Sequence, residues 1–198
     1  MPDETPSRLE FWARRLERMK WFHRWWTGPW ARRRAMRFPP FDAAAHAGIV
    51  EYADYHRFAG IAMAVTRLQR EQVPGAFAEC GVFQGHASRF IHGLAPERTY
   101  YLFDTFAGFD QRDVEPGHGE DQRFRATSVE AVLRYIGDTR HVEVKQGRVP
   151  ETFAGLESQT FAFVLLDMDV YPPTKAALEF FYPRLAPGGY LMVHDYHN

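Results

Sequence analysis

Two short stretches of the chain place carboxylates directly after an apolar run. Phe161-Ala162-Phe163-Val164-Leu165-Leu166 reads as a buried strand and delivers Asp167-Met168-Asp169; Tyr190-Leu191-Met192-Val193 reads likewise and delivers His194-Asp195. In a parallel sheet both strands end on the same edge, so as neighbours they bring Asp167, Asp169, His194 and Asp195 together. Several carboxylates in one place repel unless a cation or a shared proton compensates them. A divalent ion is the simplest compensator, and a mostly oxygen donor set suits Mg²⁺ or Mn²⁺, with His194 moving the balance toward a transition ion. The alternative is structural: Asp167 and Asp195 cap turns and His194 is a hydrogen-bonded core histidine. Recurrence of the pattern on two strands favours the chemical reading.

A second constellation lies earlier. The apolar stretch Ala76 to Cys80 leads into Gly81-Val82-Phe83-Gln84-Gly85, and a helical pattern follows at once. Glycines at such a bend let backbone approach a ligand beneath a helix N-terminus. The spacing Gly-x-x-x-Gly departs from the dinucleotide fingerprint Gly-x-Gly-x-x-Gly. The next strand ends at Asp104, 19 residues beyond Gly85, where a carboxylate can accept both hydroxyls of a ribose. Glu79, the glycine bend and Asp104 together point to a nucleoside-containing cofactor, although a tight turn and a turn aspartate explain each part alone.

These residues need elements to hold them. Strands are predicted at Ala76–Cys80, Tyr100–Phe103, Val142–Lys145, Phe161–Leu166 and Tyr190–Val193. Helices are predicted at Ala43–Gln72 with a break near Asp54, at His86–Leu94, Ser128–Ile136 and Pro173–Leu185, with a short one near Pro150–Leu156. Strand and helix in alternation make a parallel sheet covered on both faces. The irregular stretch Ala107 to Ala126 follows a strand's C-terminal end, where ligands bind in such sheets, and is expected to act as a lid.

The chain has 198 residues, 24 Lys+Arg and 25 Asp+Glu, and a formal net charge of -1. That is the profile of a globular domain. The one cysteine, Cys80, rules out an intramolecular disulfide framework and makes a reducing, cytoplasmic setting the expectation. No apolar run approaches the roughly 18 residues that span a bilayer. Residues 1–37 carry ten Lys+Arg against four Asp+Glu and all five tryptophans, whereas the remainder carries fourteen against twenty-one. The two domains expected are therefore a basic Trp-rich appendage, 1–37, and a catalytic domain, 38–198. Leu9, Trp12, Leu16, Met19, Phe22 and Trp26 form a helical stripe after the N-cap candidate Ser7. This amphipathic helix is expected to pack on protein and favour a homo-oligomer, with peripheral membrane contact the alternative. Nucleic acid is excluded as a partner, because the only basic region is the appendage.

The stretches Val73–Ser88 (VPGAFAECGVFQGHAS), Tyr101–Phe109 (YLFDTFAGF), Arg123–Val132 (RFRATSVEAV) and Phe161–Tyr196 resemble the macrocin and mycinamicin type of S-adenosylmethionine-dependent O-methyltransferase. The resemblance implies a class I methyltransferase fold, Rossmann-like, with S-adenosylmethionine as donor and Mg²⁺-assisted methylation of a sugar hydroxyl on a natural product. It implies that Glu79, Gly81 and Gly85 border the methionine part of the cofactor, that Asp104 meets its ribose, and that Asp167, His194 and Asp195 take the metal. Asp167 is the first choice for general base and His194 the second. Such proteins often carry two aspartates where this chain has His194-Asp195, and they continue for some tens of residues into two further strands. The expectation is that the fifth strand is an open edge, either because the chain is a fragment or because a partner covers it. The acceptor is expected to be a small glycoside, with Phe109, Phe124 and Phe153 as candidates to flank its ring or, equally, as core. A catalytically silent cofactor-binding or membrane-surface protein is the main alternative, and a nicotinamide-dependent oxidoreductase a weaker one.

Overall fold

The computed structural model describes residues 54–114 and 123–194. The appendage helix at 7–26, the helical stretch expected over 43–53, the middle of the lid segment and Asp195 lie outside them.

Five strands, β1 (Ala76–Cys80), β2 (Tyr100–Asp104), β3 (Val142–Gln146), β4 (Phe161–Leu166) and β5 (Leu185–Val193), form one sheet in the order β3-β2-β1-β4-β5. Every neighbouring pair is parallel. The chain moves outward from β1 to β3, then crosses back to place β4 on the other side of β1. That reversal leaves a crevice at the C-terminal ends of β1 and β4, where open α/β sheets bind ligands. β1 and β4 are buried at every residue, as strands covered on both faces must be, while the outer strands β3 and β5 are only partly buried.

Helix α1 (Tyr55–Arg70) starts where the Asp54 side chain accepts the Arg57 amide, which is the physical form of the break expected at that aspartate. Its buried residues Phe58, Ile61, Ala62, Val65 and Leu68 keep helical spacing. Helices α2 (His86–Leu94) and α3 (Val129–Ile136) follow β1 and β2. Ser128 caps α3 by accepting the Ala131 amide. On the face covered by α4 (Tyr171–Phe181), Phe103, Phe153, Phe161 and Phe181 pack edge to face with centroids 4.8 to 5.9 Å apart. Such pairs add about 0.5–1.5 kcal/mol each beyond their burial. Phe153 thus belongs to the core, not to a sugar platform. Burial pushes the Cys80 thiol well up, so it behaves as a small apolar residue.

The largest departure from expectation is at β5. The helix before it ends at Phe181, a 3₁₀ turn carries Tyr182–Arg184, and the strand begins at Leu185, five residues before the expected Tyr190. Phe161 pairs with Leu185 but Phe163 already pairs with Tyr190, so Ala186 to Gly189 bulge from the ladder. At Gly189 a Cβ would lie 2.9 Å from the Ala186 carbonyl oxygen and 3.0 Å from that of Ala162. The residues left between the expected helix and the expected strand are the bulge of a strand. Among the described residues no helix is long and apolar enough to cross a membrane.

Candidate active site

The crevice at the switch between β1 and β4 is a cavity of about 460 Å³, within the several-hundred-Å³ range of small-molecule sites. Glu79, Gly81, Asp104, Asp167 and His194 all line it, so the two constellations separated in sequence share one space. Gly85 does not line it: it caps α2 from the left-handed region, with φ +78°.

The glycines are there for a different reason from the one the sequence suggests. Gly81 has φ +89°, and a Cβ on it would sit 1.9 Å from the backbone oxygen of Asp167. At Gly85 a Cβ would meet Val132 of α3 at 2.9 Å. The protein's own packing excludes both side chains before any ligand does.

Asp104 closes the loop that these glycines open. Its Oδ2 accepts the amides of Val82 at 2.7 Å and Phe83 at 2.9 Å, and its Oδ1 accepts that of Phe106 at 2.7 Å. Three of roughly four acceptor positions of the carboxylate are therefore taken by backbone. Asp104 also lines the cavity.

Glu79 is 1% exposed, and its Oε2 accepts the hydroxyls of Ser88 and Tyr100. Burial pushes its carboxyl up to about 7, against the downward pull of those hydrogen bonds and of the Arg57 charge. A folded pKa above the unfolded one means that the native state retains a proton the unfolded chain has released. This group therefore costs stability as pH rises from its ordinary value of 4.5 through about 7.

At the end of β4 the carboxylate of Asp167 is held on both sides. Arg57 Nη2 lies 2.5 Å from Oδ2, and His194 Nδ1 lies 3.0 Å from Oδ1. The other ring nitrogen of His194, Nε2, lies 3.1 Å from Asp54 Oδ2. Burial alone would raise the Asp54 carboxyl, but the Arg57 amide, the His194 hydrogen bond and the nearby Arg57 charge outweigh it and hold it below the ordinary range. Asp54 and Arg57 escape a sequence reading because they sit on α1, over a hundred residues from Asp167, and only tertiary packing brings them there. The one available signal was the need for a compensating cation beside converging carboxylates; Arg57 supplies one.

Three aromatic rings roof the cavity. Phe124 meets Phe83 at 5.1 Å and Phe109 at 5.3 Å, both edge to face, and the Arg123 guanidinium lies over Phe109 and Phe124. Phe83 and Phe124 hold φ values of 49° and 61°, conformations that cost of order 1–3 kcal/mol and persist where surrounding structure imposes them. Of the three phenylalanines singled out in the sequence, Phe109 and Phe124 line the cavity and Phe153 does not.

At the opposite end, Arg148 grips Asp113 through two hydrogen bonds of 2.9 and 2.6 Å and also reaches Glu151 at 3.2 Å. The pair fastens the described part of the lid segment to the loop after β3. The Asp113 side chain is 5% exposed and that of Arg148 21%. Asp113→Ala should cost about 2–3 kcal/mol in urea denaturation, below the 3–5 of a fully buried pair because Arg148 keeps contact with water. A loss under 0.5 kcal/mol would show that the latch is ornamental.

A family model described as macrocin O-methyltransferase (TylF) matches residues 32–198. The chain is 30% identical over 142 residues to 8-demethyl-8-(2,3-dimethoxy-alpha-L-rhamnosyl)-tetracenomycin-C 4'-O-methyltransferase of Streptomyces olivaceus, covering 63% of this chain and 54% of that one. It is 28% identical over 146 residues to mycinamicin III 3''-O-methyltransferase of Micromonospora griseorubida, covering 64% and 57%. The solved O-methyltransferase NovP superposes with a TM-score of 0.61 at 28% identity, over 72% of this chain and 65% of that one. The fold is that of class I methyltransferases, and the match spans little more than half the length of either curated relative.

Proposed function

The chain belongs to the macrocin O-methyltransferase (TylF) family, and on that premise we propose that it binds S-adenosylmethionine and methylates a hydroxyl of a sugar-bearing natural product. The observation that carries the reading is a single cavity with Glu79 and Asp104 at the ends of β1 and β2 and Asp167 with His194 at the ends of β4 and β5.

The cavity suits this cofactor in size and in charge. Asp104 would meet the ribose with its remaining acceptor capacity, while Gly81 and Gly85 shape the loop beneath the methionine part. Glu79 borders that part as well. A carboxyl poised near neutrality is drawn into its ionised form by a cationic ligand, so a sulfonium or ammonium group would stabilise the charge that burial disfavours. When bound, S-adenosylmethionine supplies an electrophilic methyl group. The chain's own task is to place the acceptor hydroxyl in line with it and to take the hydroxyl proton.

Asp167 is the base best placed for that proton. Arg57 on Oδ2 fixes its orientation, and His194 Nδ1 stands 3.0 Å from Oδ1, with the far nitrogen of that ring facing Asp54. His194 is thus a positioning partner and the second candidate for base. Phe109 and Phe124 offer apolar faces to a sugar ring.

Of the residues expected to hold a divalent ion, Asp195 lies outside the described ones, and Asp167 and His194 fit the ion poorly as they stand. Oδ2 of Asp167 is taken by Arg57 and Nε2 of His194 by Asp54, whereas His194 Nδ1, 3.0 Å from Asp167 Oδ1, is not aligned for a hydrogen bond to it. Among the described residues, no three of His, Cys, Asp and Glu form a group that could hold a metal.

Calorimetric titration with S-adenosylhomocysteine tests the reading. Binding is expected, and Asp104→Ala should weaken it by about 1–3 kcal/mol, the range for hydrogen bonds to a charged acceptor. No binding by the full chain would remove the methyl-transfer reading. Unchanged affinity in a folded Asp104→Ala variant would move the ribose elsewhere.

A further inference from the structure

The cation that compensates Asp167 in this fold comes from the chain itself. Arg57 leaves the first turn of α1, its Nη2 stands 2.5 Å from Asp167 Oδ2, and both side chains are 18% exposed. The backbone of the same residue is pinned as well, since its amide donates to Asp54 Oδ1 at 3.2 Å. Asp54 in turn carries His194 on Oδ2, and His194 returns to Asp167. The result is a closed ring of Asp54, Arg57, Asp167 and His194. The guanidinium also lies 5.8 Å from the Phe58 ring centroid, and its Nε is buried with no hydrogen-bond partner among the described residues.

Arginine does not lose its proton in a protein, so this positive charge is permanent. A carboxylate oxygen accepting a 2.5 Å contact from it is in a short, charge-assisted interaction. A divalent cation approaching the same oxygen meets the guanidinium both as a competitor for the lone pairs and as a like charge in a partly buried site.

We propose that Arg57 is a built-in counter-cation for Asp167, which holds that carboxylate in place without a metal and lets a divalent ion reach it only by displacing the guanidinium. The inference concerns the site proposed for methyl transfer, but it can be tested without turnover or cofactor. What identifies Arg57 is its contact with Asp167, and the role is that of a positioning residue.

Binding of Mn²⁺ alone to the full chain, followed by the electron paramagnetic resonance signal of the free ion, is the test. Arg57→Gln should bind Mn²⁺ at least about tenfold more tightly than the unaltered chain, because it removes both the competitor and the repulsion. Adding Asp167→Asn to Arg57→Gln should abolish the gain. Arg57→Lys keeps the charge but loses the planar fork, and should fall between the two. This variant also serves if Arg57→Gln fails to fold. Equal Mn²⁺ affinity in the unaltered chain and the folded variants, or no binding by any of them, would overturn the proposal. A gain that survives Asp167→Asn would overturn it too, by placing the ion elsewhere. Since S-adenosylhomocysteine is absent from the experiment, its outcome is separate from that of the methyl-transfer reading.

Discussion

Gly81→Ala destabilises the folded chain by about 3–5 kcal/mol, the largest loss expected for an added methyl group at any of the described glycines. Two costs add. The φ of +89° is one that a side chain adopts only with strain, of order 1–2 kcal/mol. The new Cβ would also lie 1.9 Å from the Asp167 oxygen, 2.6 Å from its carbonyl carbon and 3.3 Å from the Met168 nitrogen. All of these are backbone atoms, so no side chain can swing aside. Overpacking of this kind costs roughly 1–3 kcal/mol even when it can be relieved by small shifts. Relief is opposed here, because the Asp167 amide donates to the Cys80 carbonyl at 2.8 Å, one residue from the clash. Against a typical stability of about 5–15 kcal/mol, the variant should be marginal. Denaturant unfolding measures it, with Gly93→Ala as the control: that glycine lies within α2, and a Cβ there meets nothing within 4 Å. The control should gain about 0.5–1 kcal/mol. A Gly81→Ala variant as stable as the parent would mean that β1 and β4 do not approach as described.

Asp167→Asn should lower methyl transfer by about 10²- to 10⁴-fold, the range contributed by a positioned general base. The side chain keeps its shape and loses its charge, so the acceptor proton has no comparable place to go. Affinity for S-adenosylhomocysteine should change little, because the groups proposed to hold it lie on β1, β2 and the loops after them. Asp169→Asn should cost less: Asp169 sits in the left-handed region at φ 58° beside the cavity, and no base role is assigned to it. Single-turnover transfer to a sugar acceptor, with binding measured in parallel, separates the two effects. Activity within twofold of the parent in Asp167→Asn would transfer the role of base to His194 or remove it from this ring of residues.

What the sequence could determine about this protein is local. An apolar run of five or six residues, ended by a carboxylate or a glycine, is legible because strand burial on both faces leaves no alternation to confuse, and β1, β2 and β4 lie within a residue of their expected bounds, as does the alternating, partly buried β3. The alternation of strand and helix was enough for the parallel sheet, and the shared acidic ending of β4 and β5 was enough to bring Asp167 and His194 together. The helix boundaries near Asp54 and Ser128 were legible too, and the structure shows both as caps whose side chains act on amides three residues away.

The tertiary structure alone decided what depends on contacts between distant segments. Pairing with β4 makes Ala186 to Gly189 a strand bulge and not a turn, because the ladder's register is a property of two strands. Approach of the Asp167 backbone, not of a ligand, requires glycine at position 81. Asp104 became the clasp of the β1 loop, and Arg57 became the counter-charge of Asp167, through distances that no spacing along the chain encodes. A sequence can announce that converging carboxylates need a cation. Which cation it is depends on how α1 packs against the ends of β4 and β5, since a charge at 2.5 Å in a partly buried site outweighs any that the local sequence holds nearby.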